Sequence, residues 1–117
     1  MQANVSKDTG KAIIKLSGRF DFNTHREFRG AYEPLVMDAD VRSVIVDFTA
    51  VDYLDSSALG MLLMLRDKLT GVGKEVALIG VKGNVKQVLD IANFGKLFSI
   101  SWIEVFPDWY PRIFDVD

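Results

Sequence analysis

Residues 43–60 of the 117-residue chain have the sequence SVIVDFTAVDYLDSSALG, which contains the clearest strand-to-helix pattern of the chain. Its first part, Ser43 to Phe48, is a continuous apolar run, which is typical of a strand that is covered on both faces. Asp55-Ser56-Ser57 follows, and Asp and Ser are preferred at helix N-caps, so a helix is expected from there to about Leu69. A buried strand followed by a helix predicts a central parallel strand in an α/β domain.

Upstream of this stretch the sequence predicts an antiparallel hairpin and a helix. Gln2 to Ser6 alternates weakly, Lys11 to Leu16 is mostly apolar and β-branched, and Asp8-Thr9-Gly10 between them is a turn signal. Thr24 and Glu27 have the spacing of a capping box at the start of the helix. The apolar stripe of this helix consists of Phe28, Ala31, Tyr32 and Leu35.

Downstream of residues 43–60, strand and helix alternate again. Glu75 to Ile79 is an apolar strand, Asn84 and Gln87 cap a third helix, and Leu97 to Val105 contains a further strand. The resulting order β-β-α-β-α-β-α-β requires right-handed crossovers that cover the sheet with helices. We therefore expect residues 1–117 to form one α/β domain with a mixed sheet.

The composition excludes most catalytic and metal-binding chemistry. There is no cysteine and one histidine, His25, which excludes disulfide scaffolds, thiolate zinc sites, iron–sulfur clusters and multi-histidine metal sites. A net charge of −2 is unlike the basic footprint of a nucleic-acid-binding protein. The longest apolar run, Met61 to Leu65, is too short to span a membrane, and the first residues lack the apolar region of a signal peptide. We expect a cytoplasmic protein without a cofactor.

The helix that follows Asp55 is more apolar than docking on a sheet requires. Besides one stripe, it has a second and a third apolar pair; the three sets are Ala58, Leu62, Leu65 and Leu69, then Leu59 and Leu63, then Met61 and Met64. A helix that is apolar all round is either fully buried or keeps apolar surface for a partner. Methionine suits adaptable contact surfaces, and both interpretations stay open at this point.

Asp55, Ser56 and Ser57 also allow two interpretations. They are helix caps and nothing more, or one of the serines is a phosphorylation site beside the positive end of the helix dipole. A phosphate adds about −1.5 to −2 charges, which next to Asp55 would change the local potential sharply.

Two segments together resemble the STAS domain family, which includes the bacterial anti-sigma factor antagonists. Residues 47–60, DFTAVDYLDSSALG, resemble its motif at a strand–helix junction, and residues 16–21, LSGRFD, resemble its earlier strand that ends in Gly-x-x-Asp. The resemblance extends from the first hairpin to the helix at Asn84–Asn93. It implies a mixed sheet of four or five strands with helices packed mainly on one face. Ala58 departs from the family pattern, in which glycine is most frequent at this position.

The resemblance also implies a function, that of a phosphorylation-switched protein-binding module that is not an enzyme. In its unphosphorylated form the module binds an anti-sigma factor or a switch-protein serine kinase, frees a sigma factor and so regulates transcription. Ser56 is the implied phosphorylation site, with Ser57 as the second candidate, and a PP2C-type phosphatase reverses the modification. The implied contact surface consists of Asp21, Asp55, Ser56, Ser57, Leu59, Leu63 and Met64.

Three other functions are consistent with parts of the sequence. Asp47 ends an apolar strand as the phosphoacceptor of a receiver domain does, although the acidic pair that holds Mg²⁺ in receivers is missing after the first strand. A serine hydrolase would need His25 as its base, but there is no Gly-x-Ser-x-Gly elbow, and His25 is predicted to be an exposed residue in a first helical turn. A STAS module could instead bind a small ligand or a nucleotide.

The end of the chain, residues 106–117, is an aromatic tail that the pattern does not assign to a helix or a strand. Its aromatic residues are Phe106, Trp109, Tyr110 and Phe114. They either pack into the core or add a surface for a partner or for a weak homodimer, because aromatic residues are enriched at interfaces.

Overall fold

The computed structural model of the chain describes residues 2–96 and 99–100. In these ranges the strands are β1 (Gln2–Asp8), β2 (Gly10–Phe20), β3 (Val41–Leu54), β4 (Glu75–Ile79) and β5 (Ser99–Ile100). The helices are α1 (His25–Met37), α2 (Ser56–Gly71) and α3 (Gly83–Ile91), and short 3-10 turns lie at Phe22–Thr24 and Phe94–Lys96. The predicted aromatic tail lies outside the described residues, as does the rest of the strand predicted at 97–105.

The strands form one mixed five-stranded sheet in the order β1-β2-β3-β4-β5. β1 pairs with β2 in antiparallel orientation, and every later pair is parallel. The predicted hairpin and the central parallel strand are therefore confirmed. β3 is longer than the predicted apolar run, because residues 49–54 continue the pairing with β2 as far as the start of α2. The observed architecture is the predicted α/β fold.

The helices pack on one face of the sheet. Alternate residues of β2 and β3, such as Ile14 and Val46, belong to the same buried core as Phe28 of α1, Leu65 of α2 and Leu89 of α3. Successive side chains of a strand point to opposite faces. The residues between them form a smaller buried cluster on the other face, which consists of Ile13, Ile45 and Ile79.

Thr24 is the N-cap residue of α1 as predicted, but the capping box predicted for it is wrong, and so is the cap predicted at Asn84. The hydroxyl of Thr24 does not cap α1; it donates to the carbonyl oxygen of Asp21 at 2.7 Å and accepts from the Asp21 N–H at 3.2 Å. The capping box thus lies one turn earlier, because Asp21 is an equally good cap three residues before Thr24. α3 begins at Gly83 rather than after Asn84, since Gly83 enters the helix with φ +56°, which glycine tolerates.

Gly80 fixes the end of β4 against β3. Its φ is +70°, and a Cβ there would lie 2.8 Å from the backbone nitrogen of Thr49 and 2.9 Å from Oδ1 of Asp47. The same Oδ1 accepts hydrogen bonds from the N–H and the hydroxyl of Thr49, at 2.9 and 2.6 Å. Only glycine combines this backbone conformation with this close approach.

Candidate functional site at the start of helix α2

Two of the predicted site residues, Asp21 and Asp55, lie at the edge of the sheet where β2 and β3 end. Phe20 and Leu54 are partners in the parallel register, and the N–H of Asp55 donates to the carbonyl oxygen of Phe20 at 3.3 Å. Asp21 and Asp55 therefore follow two paired residues at neighbouring strand ends. The carboxyl ends of parallel strands are a common place for functional residues in α/β folds.

The three residues of the Asp-Ser-Ser segment have different surroundings. Asp55 is the N-cap of α2, with extended backbone, and its carboxylate accepts from the N–H of Ala58 at 3.1 Å. Ser56 is the first residue of α2 and is exposed, whereas Ser57 is half-buried. The cap interpretation is thus correct for Asp55, while the hydroxyl of Ser56 is left accessible to another protein.

Asp21 caps the 3-10 turn that precedes α1, because its carboxylate accepts from the N–H of Asn23 at 3.0 Å. Nε of Arg19 lies 3.7 Å from the Asp21 carboxylate, and the guanidinium lies 4.1 Å from the centre of the Tyr53 ring. Arg19 and Tyr53 are register partners in β2 and β3. The site edge therefore carries a cation beside its two carboxylates, which the sequence analysis did not identify.

The predicted apolar part of the site is divided between two flanks of α2. Leu59 and Leu63 are half-buried and pack against the main core. Met64 is 52% exposed and lies on the flank that faces α1, together with Ser57 and Met61. The helix is thus neither fully buried nor bare; its most exposed large apolar side chain, Met64, lies on the flank toward α1.

A groove of about 330 Å³ runs between α1 and α2. The buried rings of Phe28 and Tyr32 contribute to it, Met64 borders it, and Ser57 lies at the start of α2. Phe22, which is 65% exposed, also lines the groove, and the sequence analysis missed it. The available signal was an aromatic residue in a turn, directly after Asp21 and outside every apolar stripe.

His25 is the exposed first residue of α1, as predicted. Its Nδ1 lies 3.0 Å from the carbonyl oxygen of Phe22, and its ring centre lies 5.4 Å from the Phe22 ring. The contacts of His25 are therefore those of a helix start. His25 and Ser57 line the same groove.

The environment of Asp47 argues against a receiver-type phosphoacceptor. Asp47 is only 2% exposed, and its Oδ1 is already engaged by Thr49 and approached by Gly80. A phosphodonor would have to displace these contacts to reach it. Over residues 2–96 no group of three acidic or histidine side chains is arranged to hold a metal ion.

The chain is similar to known proteins over most of its length. The family model of the STAS domain matches residues 2–109. The chain belongs to the STAS domain family. A STAS-domain containing protein of Pseudomonas aeruginosa is 44% identical over 96 residues, which are 82% of this chain and 93% of that protein. The anti-sigma F factor antagonist of Paenibacillus polymyxa is 24% identical over 100 residues, which are 86% of each chain.

Solved structures show the same fold. The anti-sigma factor antagonist SpoIIAA in its unphosphorylated form superposes with a TM-score of 0.73 at 20% identity, covering 85% of this STAS domain and 87% of SpoIIAA. SpoIIAA in its phosphorylated form gives a TM-score of 0.67 at 18% identity, covering 85% and 90%. The mixed sheet with its helices is therefore shared with a protein that has been solved in two phosphorylation states. None of the helices at residues 2–96 is long and apolar enough to cross a membrane.

Proposed function

We propose that this STAS domain protein is a cytoplasmic anti-sigma factor antagonist that phosphorylation switches. Its unphosphorylated form binds an anti-sigma factor or a switch-protein serine kinase and thereby regulates transcription. The names of its relatives support this proposal, since one is an anti-sigma F factor antagonist. The proposal treats residues 1–117 as a single domain that binds and has no catalytic role of its own.

The observation that carries the proposal is that Ser56 is an exposed residue at the first position of α2. A partner kinase transfers the γ-phosphoryl group of ATP to Oγ of Ser56, which forms a P–O bond and releases ADP and a proton. A PP2C-type phosphatase hydrolyses that bond and returns inorganic phosphate. Ser57 is less suitable as the acceptor because it is half-buried toward α1.

A phosphate at Ser56 would change binding without unfolding the domain. The N-terminus of a helix tolerates negative charge, so α2 accommodates the group. In a complex, however, about −1.5 to −2 charges would be desolvated beside Asp21 and Asp55. Burying such charge without a cationic partner costs several kcal/mol, and each ~1.4 kcal/mol is tenfold in affinity. Arg19 is the cation at this edge, but it is already engaged by Asp21 and the Tyr53 ring, so the two carboxylates still make the surface sensitive to one added phosphate.

The proposed contact surface consists of the predicted residues, and the more exposed of them contribute more of it. Asp21, Asp55 and Ser56 form its polar part at the strand ends, and Ser57 and Met64 continue it along α2. The partly buried pair Leu59 and Leu63 has less side chain available for a partner.

A capture experiment with three forms of the full chain tests the proposal. Wild type, Ser56→Ala and Ser56→Asp are used as baits in extracts of the source cell, and bound proteins are identified by mass spectrometry. We expect Ser56→Ala to retain an anti-sigma factor or kinase that Ser56→Asp loses. Thr9→Ala is the control: it also removes a hydroxyl from an exposed residue, but in the turn between β1 and β2 at the other end of the sheet, and it should behave like wild type. Equal retention by Ser56→Asp and Ser56→Ala would falsify the switch.

A further inference from the structure

We infer that the groove between α1 and α2 binds an acidic segment of the partner protein that also carries apolar side chains. The apolar side chains of that segment enter the groove, and one of its carboxylates lies at Arg29. The inference rests on the proposed function, because it names the chemistry of the partner that Ser56 controls.

The shape of the groove fits side chains of a protein segment. Phe22 and Met64 are 65% and 52% exposed, and both line the groove, over the buried rings of Phe28 and Tyr32. The volume of about 330 Å³ is at the lower end of the range for small-molecule sites, roughly 300–1,000 Å³. Methionine and phenylalanine are also enriched in the cores of protein interfaces.

The charge of the groove selects an acidic occupant. Among the described residues, its lining includes Arg29 and contains no carboxylate. Arg29 donates to Glu33 at 2.7 Å, and Lys68 of α2 donates to the same Glu33 oxygen at 3.4 Å. The hydrogen bond from Arg29, followed by that from Lys68, holds the pKa of Glu33 below its usual range. Two cations thus share one ionised carboxylate, and this set of three residues has a net charge of +1.

The position of Ser57 connects the groove to the switch. Ser57 lines the groove beside Gly60, and Ser56 precedes it on the exposed side of α2. A phosphate on Ser56 would place negative charge next to the groove and would repel an acidic segment. The same phosphate would attract a basic segment, which is the wrong direction for a switch that releases its partner. The charge of Arg29 and the effect of phosphorylation therefore point to the same occupant.

Photo-crosslinking locates the segment that lies in the groove. Position 22 or 64 is replaced by p-benzoylphenylalanine in the Ser56→Ala chain, and the partner captured above is added. Met37, which is 83% exposed at the end of α1, is the control position. We expect crosslinks from positions 22 and 64 but not from 37. The crosslinked peptide should contain Asp or Glu beside apolar residues.

Charge reversal tests the role of Arg29. Arg29→Glu should weaken the binding of the captured partner at least tenfold in a titration followed by fluorescence anisotropy, and a Glu→Arg exchange in the crosslinked segment should restore it. Arg42→Glu makes the same charge change on an exposed residue of β3 at the opposite edge of the sheet and should alter the affinity less than twofold. Arg29→Ala should lower the affinity by a smaller factor. It replaces Arg29→Glu in the titration if thermal unfolding shows that Arg29→Glu is misfolded.

Four results would overturn the inference. They are an unchanged affinity of both Arg29 variants, a crosslinked segment that is basic, crosslinks to a second copy of this chain, or a small molecule that native mass spectrometry finds bound and that Met64→Asp expels. If the Arg29 variants bind normally while Ser56→Asp still releases the partner, the groove is not the docking site and the proposed function stands. If Ser56→Asp does not release it, the proposed function itself fails.

Discussion

Helix α2 has two flanks of similar composition and different use. The flank of Ala58, Leu62, Leu65 and Leu69 is fully buried against the sheet and the other helices. The flank of Met61 and Met64 is only partly covered and lines the groove toward α1. Composition alone does not distinguish them, since both are apolar. Residues of α2 that neighbouring elements cover stabilise the fold, whereas residues that stay partly uncovered are available to a partner.

The strongest way to test this division is to shorten a side chain on the buried flank. Leu62→Ala should lower the free energy of unfolding by about 2–5 kcal/mol, because it removes buried apolar surface and leaves a cavity. Chemical denaturation followed by circular dichroism measures the change. Met64→Ala, the matched truncation on the other flank, should cost less than about 1 kcal/mol because much of the side chain is already in water. Equal losses would show that both flanks serve the fold.

The cap of α2 should have a smaller effect. Asp55→Ala removes the carboxylate that accepts from the N–H of Ala58 at 3.1 Å. A lost N-cap costs about 0.5–2 kcal/mol, and Asp55→Asn should recover most of it, since Asn also caps well. Thermal unfolding of the three chains checks this order. A stability for Asp55→Ala equal to wild type would mean that the cap contributes nothing.

Ser56 should influence stability even less than the cap. Ser56→Ala removes an exposed hydroxyl at the first helical position, so the free energy of unfolding should change by no more than about 0.5 kcal/mol. Equilibrium denaturation of Ser56→Ala beside wild type gives the value. A loss above about 1 kcal/mol would assign Ser56 a structural role and would complicate its use as a switch variant.

The smallest effect is a pH dependence at the bridge between α1 and α2. The pKa of Glu33 is lowered from 4.5, mainly by the hydrogen bond from Arg29 and then by the one from Lys68. A lowered folded-state pKa means that the stabilisation is complete above pH 4.5 and is lost as the pH falls through the lowered value. Glu33→Gln should flatten this part of the stability curve. Because the groups are exposed, added salt should reduce the difference.

The sequence predicted the fold better than the site, for physical reasons. The buried stripe of α2 follows from helical periodicity, and β3 follows from its apolar run, so both are local properties. The capping box was predicted one turn too late because Asp21–Thr24 and Thr24–Glu27 have the same spacing and share one residue. Sequence alone does not say which of two overlapping boxes forms.

The groove could not be predicted from any single segment of the sequence. Phe22 belongs to a turn, Arg29 to α1 and Met64 to α2, and the sheet brings them together over more than 40 positions of the chain. The opposite flank, where Leu59 and Leu63 pack, could be distinguished only once the neighbours of α2 were placed. The strand-end position of Asp21, by contrast, was predictable because its motif ends a strand.

The two adjacent serines at the start of α2, Ser56 and Ser57, are not equivalent as phosphate acceptors for a kinase. Each residue of a helix is rotated by about 100° from the one before it, so a shift of one position moves a hydroxyl from open solvent toward the groove. Ser57 is therefore not a spare copy of Ser56. A phosphate at Ser56 would add charge at the border of the proposed contact surface. A phosphate at Ser57 would instead obstruct the groove that Ser57 lines. Phosphorylation of these two adjacent serines would therefore have different effects on binding.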